Sequence, residues 1–276
     1  MGIRIVTDST GYLPPDKIKE LGIEVVPLEI SFAGTIFREG ELSNREYYRR
    51  LRSEKAFPTT SQPPAGDFVK VFEKYGSEEQ FLGLFISEIL SGTWQSAEMA
   101  AAMLPDYDIA LMDSRSTAMG LGFQVLKAAE MARDGYDREE IINEVVKIRS
   151  AVKIAFVVDN LDYLVRGGRL GKASGLLGNL MQVKPILGLV EGKIEALEKV
   201  RTKTRAVQKI VEDSEKQWSE GTIEKVCVIH VDAESEVVME LKEKVAQSFS
   251  GPIIISEAGP TIGSHVGPGA VGLIYY

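Results

Sequence analysis

The sequence predicts an α/β fold in two domains: an N-terminal Rossmann-like parallel α/β domain and a C-terminal α/β domain with a mixed sheet. Three observations carry this prediction. β-Branched apolar runs alternate with helical stretches through residues 1–150, the pattern of a parallel layer. Polar turns follow several of those runs, at Asp8-Ser9-Thr10, Ser91-Gly92-Thr93 and Asp113-Ser114, where open parallel sheets present ligands outside the carboxyl ends of their strands. Beyond residue 150 the alternation gives way to a mixed pattern with a glycine-turn hairpin. The domains are therefore set at 1–150 and 151–276.

Taken in order, Ile3–Thr7 is a β-branched run ending in a polar turn, hence a strand. Pro14-Pro15 opens a helix to Leu21, since proline is tolerated in a first turn. Glu24–Phe32 reads as one strand. Ser43-Asn-Arg-Glu46 is a capping box for a helix to Arg52. Lys55–Pro64, rich in Pro, Thr and Ser, reads as an extended loop. Then come a helix over Ala65–Tyr75, a strand over Phe81–Ile86 and a helix over Thr93–Met103. A strand over Asp108–Met112 precedes a long helix to Ala132. Asp137-Arg-Glu-Glu140 is an acidic capping box for a helix to Arg149.

In the second half a strand at Lys153–Val158 and a helical piece lead to Arg166-Gly-Gly-Arg-Leu-Gly171. Pro185–Val190 and Ile194–Val200 flank Glu191-Gly-Lys193 as an antiparallel hairpin. A helix (Thr202–Gln217), a strand (Val226–Val231), a helix (Glu236–Phe249) and strands at Ile253–Ser256 and Val271–Tyr276 complete the chain. Between the last two lies Gly259–Gly272, dense in glycine and proline. It is predicted to be a fixed loop and not a helix, because both residues are costly in helices. It carries His265, one of the 2 histidines.

Composition excludes several classes. Lysine and arginine total 32 against 40 acidic residues, a net charge of −8. That argues against a general affinity for nucleic acid and against a DNA-binding regulator, which need a basic footprint. It also argues against stable docking on anionic lipid by charge. The lone cysteine, Cys227, has no internal partner for a disulfide, and a reducing cytoplasm is the expected home. Neither a signal peptide nor an apolar span of membrane length is expected.

Catalytic signatures fail on inspection. Arg166–Ala173 lacks the first glycine and the Ser or Thr of a phosphate-binding loop. Gly267-Pro-Gly-Ala-Val-Gly272 matches a dinucleotide fingerprint literally, but proline interrupts it and no helix has room to follow. A Gly-x-Ser-x-Gly elbow is absent, and two histidines with one cysteine make no usual zinc cluster.

Four constellations remain. Thr59-Thr60-Ser61-Gln62 offers hydroxyls that bind a carboxylate or phosphate, or that cap the following helix. Ser91-Gly92-Thr93, after Leu90, offers hydroxyls and helix N-terminal amides to an anion, or again a cap. Arg169, held by Gly167 and Gly168, is placed to clamp an anion or to lie on the surface beyond a helix end; Arg201 is a weaker counterpart. His265 is either functional or bonded to its own loop. His230 shares a strand face with Val226 and Val228 and reads as structural. Asp8 and Asp113 are candidates for a metal ligand or a base, although a carboxylate after a strand more often caps local amides.

Together these segments resemble the DegV family, the fatty-acid-binding proteins of bacteria. The resemblance rests on Thr7-Asp8-Ser9-Thr10, Thr60-Ser61-Gln62-Pro63, Leu90-Ser91-Gly92-Thr93-Trp94-Gln95-Ser96-Ala97, Asp113-Ser114, Gly167-Gly168-Arg169, Lys184-Pro185-Ile186-Leu187 and Gly259–His265 with Gly267-Pro-Gly269. One departure is Met181-Gln182-Val183, where the family has Leu-Asn-Ile. The resemblance implies a long-chain fatty acid, such as palmitate, in an apolar tunnel between two α/β domains. Its carboxylate would be bound by Thr60, Ser61, Ser91, Gly92 and Thr93. It implies a cytoplasmic, non-enzymatic lipid-binding subunit with no cofactor and at most transient membrane contact. A separate ATP-binding fatty acid kinase subunit would make the acyl phosphate for phospholipid metabolism, with His265 and Arg169 assisting phosphoryl transfer; Arg201, outside the family motifs, is the weaker candidate for the same role. The competing reading is a serine-dependent esterase or acyl-transfer hydrolase using Ser91 with His265 as base.

Overall fold

The computed structural model describes residues 2–170, 184–218 and 223–276. Gly171, Lys172–Leu180 and the Met181-Gln182-Val183 departure lie outside the described residues. The chain forms two compact units, Met1–Glu41 with Thr60–Ala151 and Leu42–Thr59 with Val152–Tyr276. Leu42–Thr59, which the sequence assigns to the first domain, therefore packs with the second. The reason is a pair of tyrosines described below.

In chain order the first unit holds β1 (Ile3–Asp8), α1 (Pro15–Leu21), β2 (Glu24–Val26), β3 (Glu29–Phe32) and β4 (Thr35–Arg38). The excursion to the second unit contains α2 (Asn44–Ser53). Next come β5 (Thr59–Ser61), α3 (Ala65–Tyr75), β6 (Gln80–Phe85), α4 (Thr93–Met103), β7 (Asp108–Asp113), α5 (Ala118–Arg133) and α6 (Arg138–Ala151). One predicted strand is really two. Pro27 has no N–H to give a ladder, so Glu24–Phe32 breaks there. β2 joins a parallel sheet of order β2-β1-β6-β7, and β3 joins a small sheet of order β4-β3-β5.

The parallel sheet is covered on both faces, as parallel sheets must be. Ile5, Leu82 and Leu84 pack on α5 and α6 through Leu121, Val125, Ile141 and Val145. The alternate residues Val6, Phe81 and Phe85 pack on α3 and α4 through Phe68, Phe72, Ala97 and Ala100. β2 and β6 flank β1 on opposite sides, which makes the β1–β6 boundary a topological switch point.

The second unit adds β8 (Lys153–Val157), α7 (Asp162–Arg166), β9 (Lys184–Val190), β10 (Lys193–Val200) and α8 (Lys203–Trp218). It continues with β11 (Val226–His230), α9 (Ser235–Ala246), β12 (Ile253–Glu257), α10 (Pro260–Val266) and β13 (Val271–Tyr275). The sheet order is β10-β9-β8-β13-β11-β12. Only β11 and β12 run parallel among the recorded pairs; the others are antiparallel. α8 and α9 seal one face with Val207, Ile210, Val238 and Leu241 over Val226, Val228, Val271 and Leu273.

α10 corrects the predicted loop. Pro260 occupies the first turn, where its missing N–H costs nothing. Gly267 ends the helix at φ 77°, its N–H bonding to Gly263 O at 3.0 Å. These residues punctuate a short helix rather than forbid one.

Candidate functional site

In the first unit the switch point is fastened by Asp8. Its carboxylate accepts from Thr10 N at 2.9 Å, Thr10 Oγ at 2.6 Å and Ile86 N at 2.7 Å, tying the end of β1 to the end of β6. Burial raises its pKa above the usual carboxylate range, against the pull of these bonds. Asp113 accepts from Arg115 N at 2.9 Å and Glu88 N at 3.3 Å, a local cap. Among the described residues no cluster of His, Cys, Asp and Glu could hold a metal ion.

The two hydroxyl loops come together here. The Gln62 side chain lies against Gly92, where a Cβ would stand 2.7 Å from Gln62 Nε2. α3 begins after Pro64 and α4 after Gly92, and neither start has a side-chain cap bond. Instead Ser91 Oγ and Thr93 Oγ1 bond to each other at 2.8 Å, with Thr93 fully buried and Ser91 half-buried. Thr60 is half-buried and Ser61 exposed. Hydroxyls beside the first-turn amides of a helix at a switch point are equipped to receive an anion.

The second unit brings together His265 and Arg169. His265 sits on α10 with its ring against Gly167, the residue that ends α7; a Cβ at 167 would collide with Nδ1. Arg169 Nη1 donates to Gly167 O. Burial, aided by the Arg169 charge, lowers the His265 pKa to about 4. The imidazole is therefore neutral at pH 7, and Arg169 is the cation of the pair. Arg201 is exposed, in the link between β10 and α8. Its neighbour Lys203 is the group tied to the turn after α10, bonding Gly269 O at 2.6 Å and Asp159 Oδ1 at 2.7 Å. Lys203 and Asp159 carry no motif, and only the packing reveals them.

His230 closes β11, half-buried, with its pKa lowered mainly by burial. Burial likewise pushes the Cys227 thiol well up, leaving an inert side chain. Among the described residues no helix is long and apolar enough to cross a membrane.

Comparisons with known proteins agree along the whole chain. The family model described as "Uncharacterised protein, DegV family" matches residues 2–276. A DegV domain-containing protein of Clostridium acetobutylicum is 38% identical, covering 100% of this chain and 98% of its own. The solved structure of DegV, a fatty acid binding protein from Bacillus subtilis, superposes with a TM-score of 0.92 at 35% identity, over 100% of this chain and 99% of that one. A DegV family protein from Thermus thermophilus, described by its fatty acid binding, gives 0.90 at 35% identity over 100% and 99%. The chain belongs to the DegV family.

Proposed function

We propose that this DegV-family chain binds a long-chain fatty acid, such as palmitate, and presents its carboxylate to a separate ATP-dependent kinase subunit in the cytoplasm. The observation that carries the reading is the state of the hydroxyl loops. Ser91 and Thr93 pair with each other, Gln62 from the Thr60-Ser61 loop lies against Gly92 between them, and the helices that follow start without side-chain caps. A carboxylate needs such donors, because burying it bare is costly. The tail contributes about 0.8 kcal/mol for each methylene withdrawn from water.

In the proposed transfer a carboxylate oxygen of the lipid attacks the γ-phosphorus of ATP held by the kinase subunit. The new O–P bond forms as the bond to the β-phosphate oxygen breaks, and ADP leaves. Arg169, with Arg201, offsets the charge of the transferring phosphoryl group, and neutral His265 donates a hydrogen bond to it. Among the described residues the Ser91 hydroxyl bonds to Thr93, a pairing that lends a hydrolase reading no support.

Native mass spectrometry of the purified protein tests the binding. A bound mass in the fatty acid range is expected, and a lipid-free protein that refuses added palmitate would sink the reading. The transfer role is tested by adding a fatty acid kinase subunit: His265→Ala should slow acyl phosphate formation and leave palmitate binding intact.

A further inference from the structure

We infer that Tyr47 and Tyr48, on α2, are positioning residues that seat α10 and so hold His265 in place. Both rings are fully buried and meet edge to face at 5.1 Å. Ser264 Oγ donates to Pro260 O at 2.7 Å. With that proton committed, the 2.8 Å contact between Tyr47 Oη and Ser264 Oγ is donated by the tyrosine. Tyr48 Oη donates to Ala258 O and Gly259 O, the two carbonyls ahead of α10. One tyrosine thus grips the body of α10 and the other its entry.

Gly263 completes the fit. A Cβ there would collide with Tyr48 Oη, so the mid-helix glycine is the space the tyrosine occupies. His265 directly follows Ser264, and its ring meets Gly167 of α7. α10 is thereby held between α2 and α7. The return leg of the excursion reinforces α7, since Phe57 packs on Tyr163 at 4.9 Å with the Arg166 guanidinium 5.1 Å over its ring. A helix of 7 residues is too short to persist without such contacts. The functional consequence rests on the proposed transfer role of His265, whereas the packing itself is testable without it.

The probe is diethyl pyrocarbonate, which acylates neutral imidazoles, with peptide mass spectrometry to read His265 and His230 separately. In Tyr48→Phe and Tyr47→Phe, His265 should label about tenfold faster while His230 keeps its rate, as expected when one hydrogen bond restraining a local opening is lost. Val238→Ala, which removes part of a buried side chain of α9 in the same unit, should leave the His265 rate unchanged. Ser264→Ala removes the Tyr47 acceptor without touching α2, and serves if a tyrosine variant fails to fold. An unchanged His265 rate in the tyrosine and serine variants overturns the inference, as does an equal acceleration in Val238→Ala. Normal acyl phosphate formation by His265→Ala would instead remove the transfer role and leave the labelling result standing.

Discussion

The two candidate sites are built on opposite plans. In the first unit the polar groups come from loops at strand ends, and their hydroxyls bond to near neighbours in sequence. Ser91 meets Thr93 two positions on, and Asp8 holds Thr10. In the second unit a single imidazole depends on a helix gripped by a tyrosine 217 residues away. The difference teaches where each is vulnerable. A loop site loses affinity when one hydroxyl goes and keeps its fold. A packed site loses its geometry when a remote anchor goes, although every nominal site residue is still present.

The largest effect should therefore come from the anchor. Tyr48→Ala removes a fully buried ring, a change that costs roughly 3–5 kcal/mol. The loss should fall on the second unit, although residue 48 lies amid first-unit sequence. Segment-resolved hydrogen exchange reads this directly: amides of α10 and β12 should open, while those of β1 and β6 keep their protection. Opening of the first unit instead would erase the distinction between the two plans.

The pH dependence follows next in size. His265 has a folded pKa of about 4 against an ordinary 6.5. Between those values the unfolded chain takes up the proton and the folded one does not. The burial is thus fully compatible with folding above pH 6.5, and stability falls as pH drops from 6.5 toward 4. Full expression of that shift corresponds to about 3 kcal/mol. Urea midpoints of the wild type should decline through this window, and those of His265→Asn should decline less. His230, also lowered, contributes the residual slope. Parallel curves would mean that His265 is not buried as a neutral base.

What the sequence made legible follows the same division. Alternation exposed the parallel layer, and both capping boxes exist as bonds, Glu46 N to Ser43 Oγ at 3.3 Å and Glu140 N to Asp137 Oδ1 at 2.8 Å. The hairpin turns at Glu191-Gly192, both in left-handed conformation. The placement of Ser91–Thr93 at a strand end and helix start was readable because local chemistry sets it. α10 was not, since the cost of Gly263 is offset by a ring from α2. Nor was the excursion at Leu42–Thr59, because adjacency in sequence does not say which core receives Tyr47 and Tyr48. Pro27 could have warned that Glu24–Phe32 is two strands.

Within the first site, Ser91→Ala should weaken palmitate binding about tenfold, the scale of one lost hydrogen bond to a charged group. Its urea midpoint should stay within about 0.5 kcal/mol of the wild type, as the half-buried hydroxyl caps no helix. Isothermal titration measures the first and equilibrium unfolding the second. A large stability loss would mean that the Ser91–Thr93 pair is structural after all.

The smallest effect sharpens the comparison most. Arg201 is exposed, and the described tie from its link to the α10 turn runs through Lys203. Arg201→Ala should leave both palmitate affinity and the unfolding midpoint unchanged, while slowing transfer in the presence of a kinase subunit. Lys203→Met should do the reverse of a surface change, loosening the turn that follows α10 because Gly269 O and Asp159 lose their common partner. If Arg201→Ala lowers palmitate affinity as strongly as Ser91→Ala does, the lipid carboxylate is read by guanidinium charge, and the division between hydroxyl binding and cationic transfer fails.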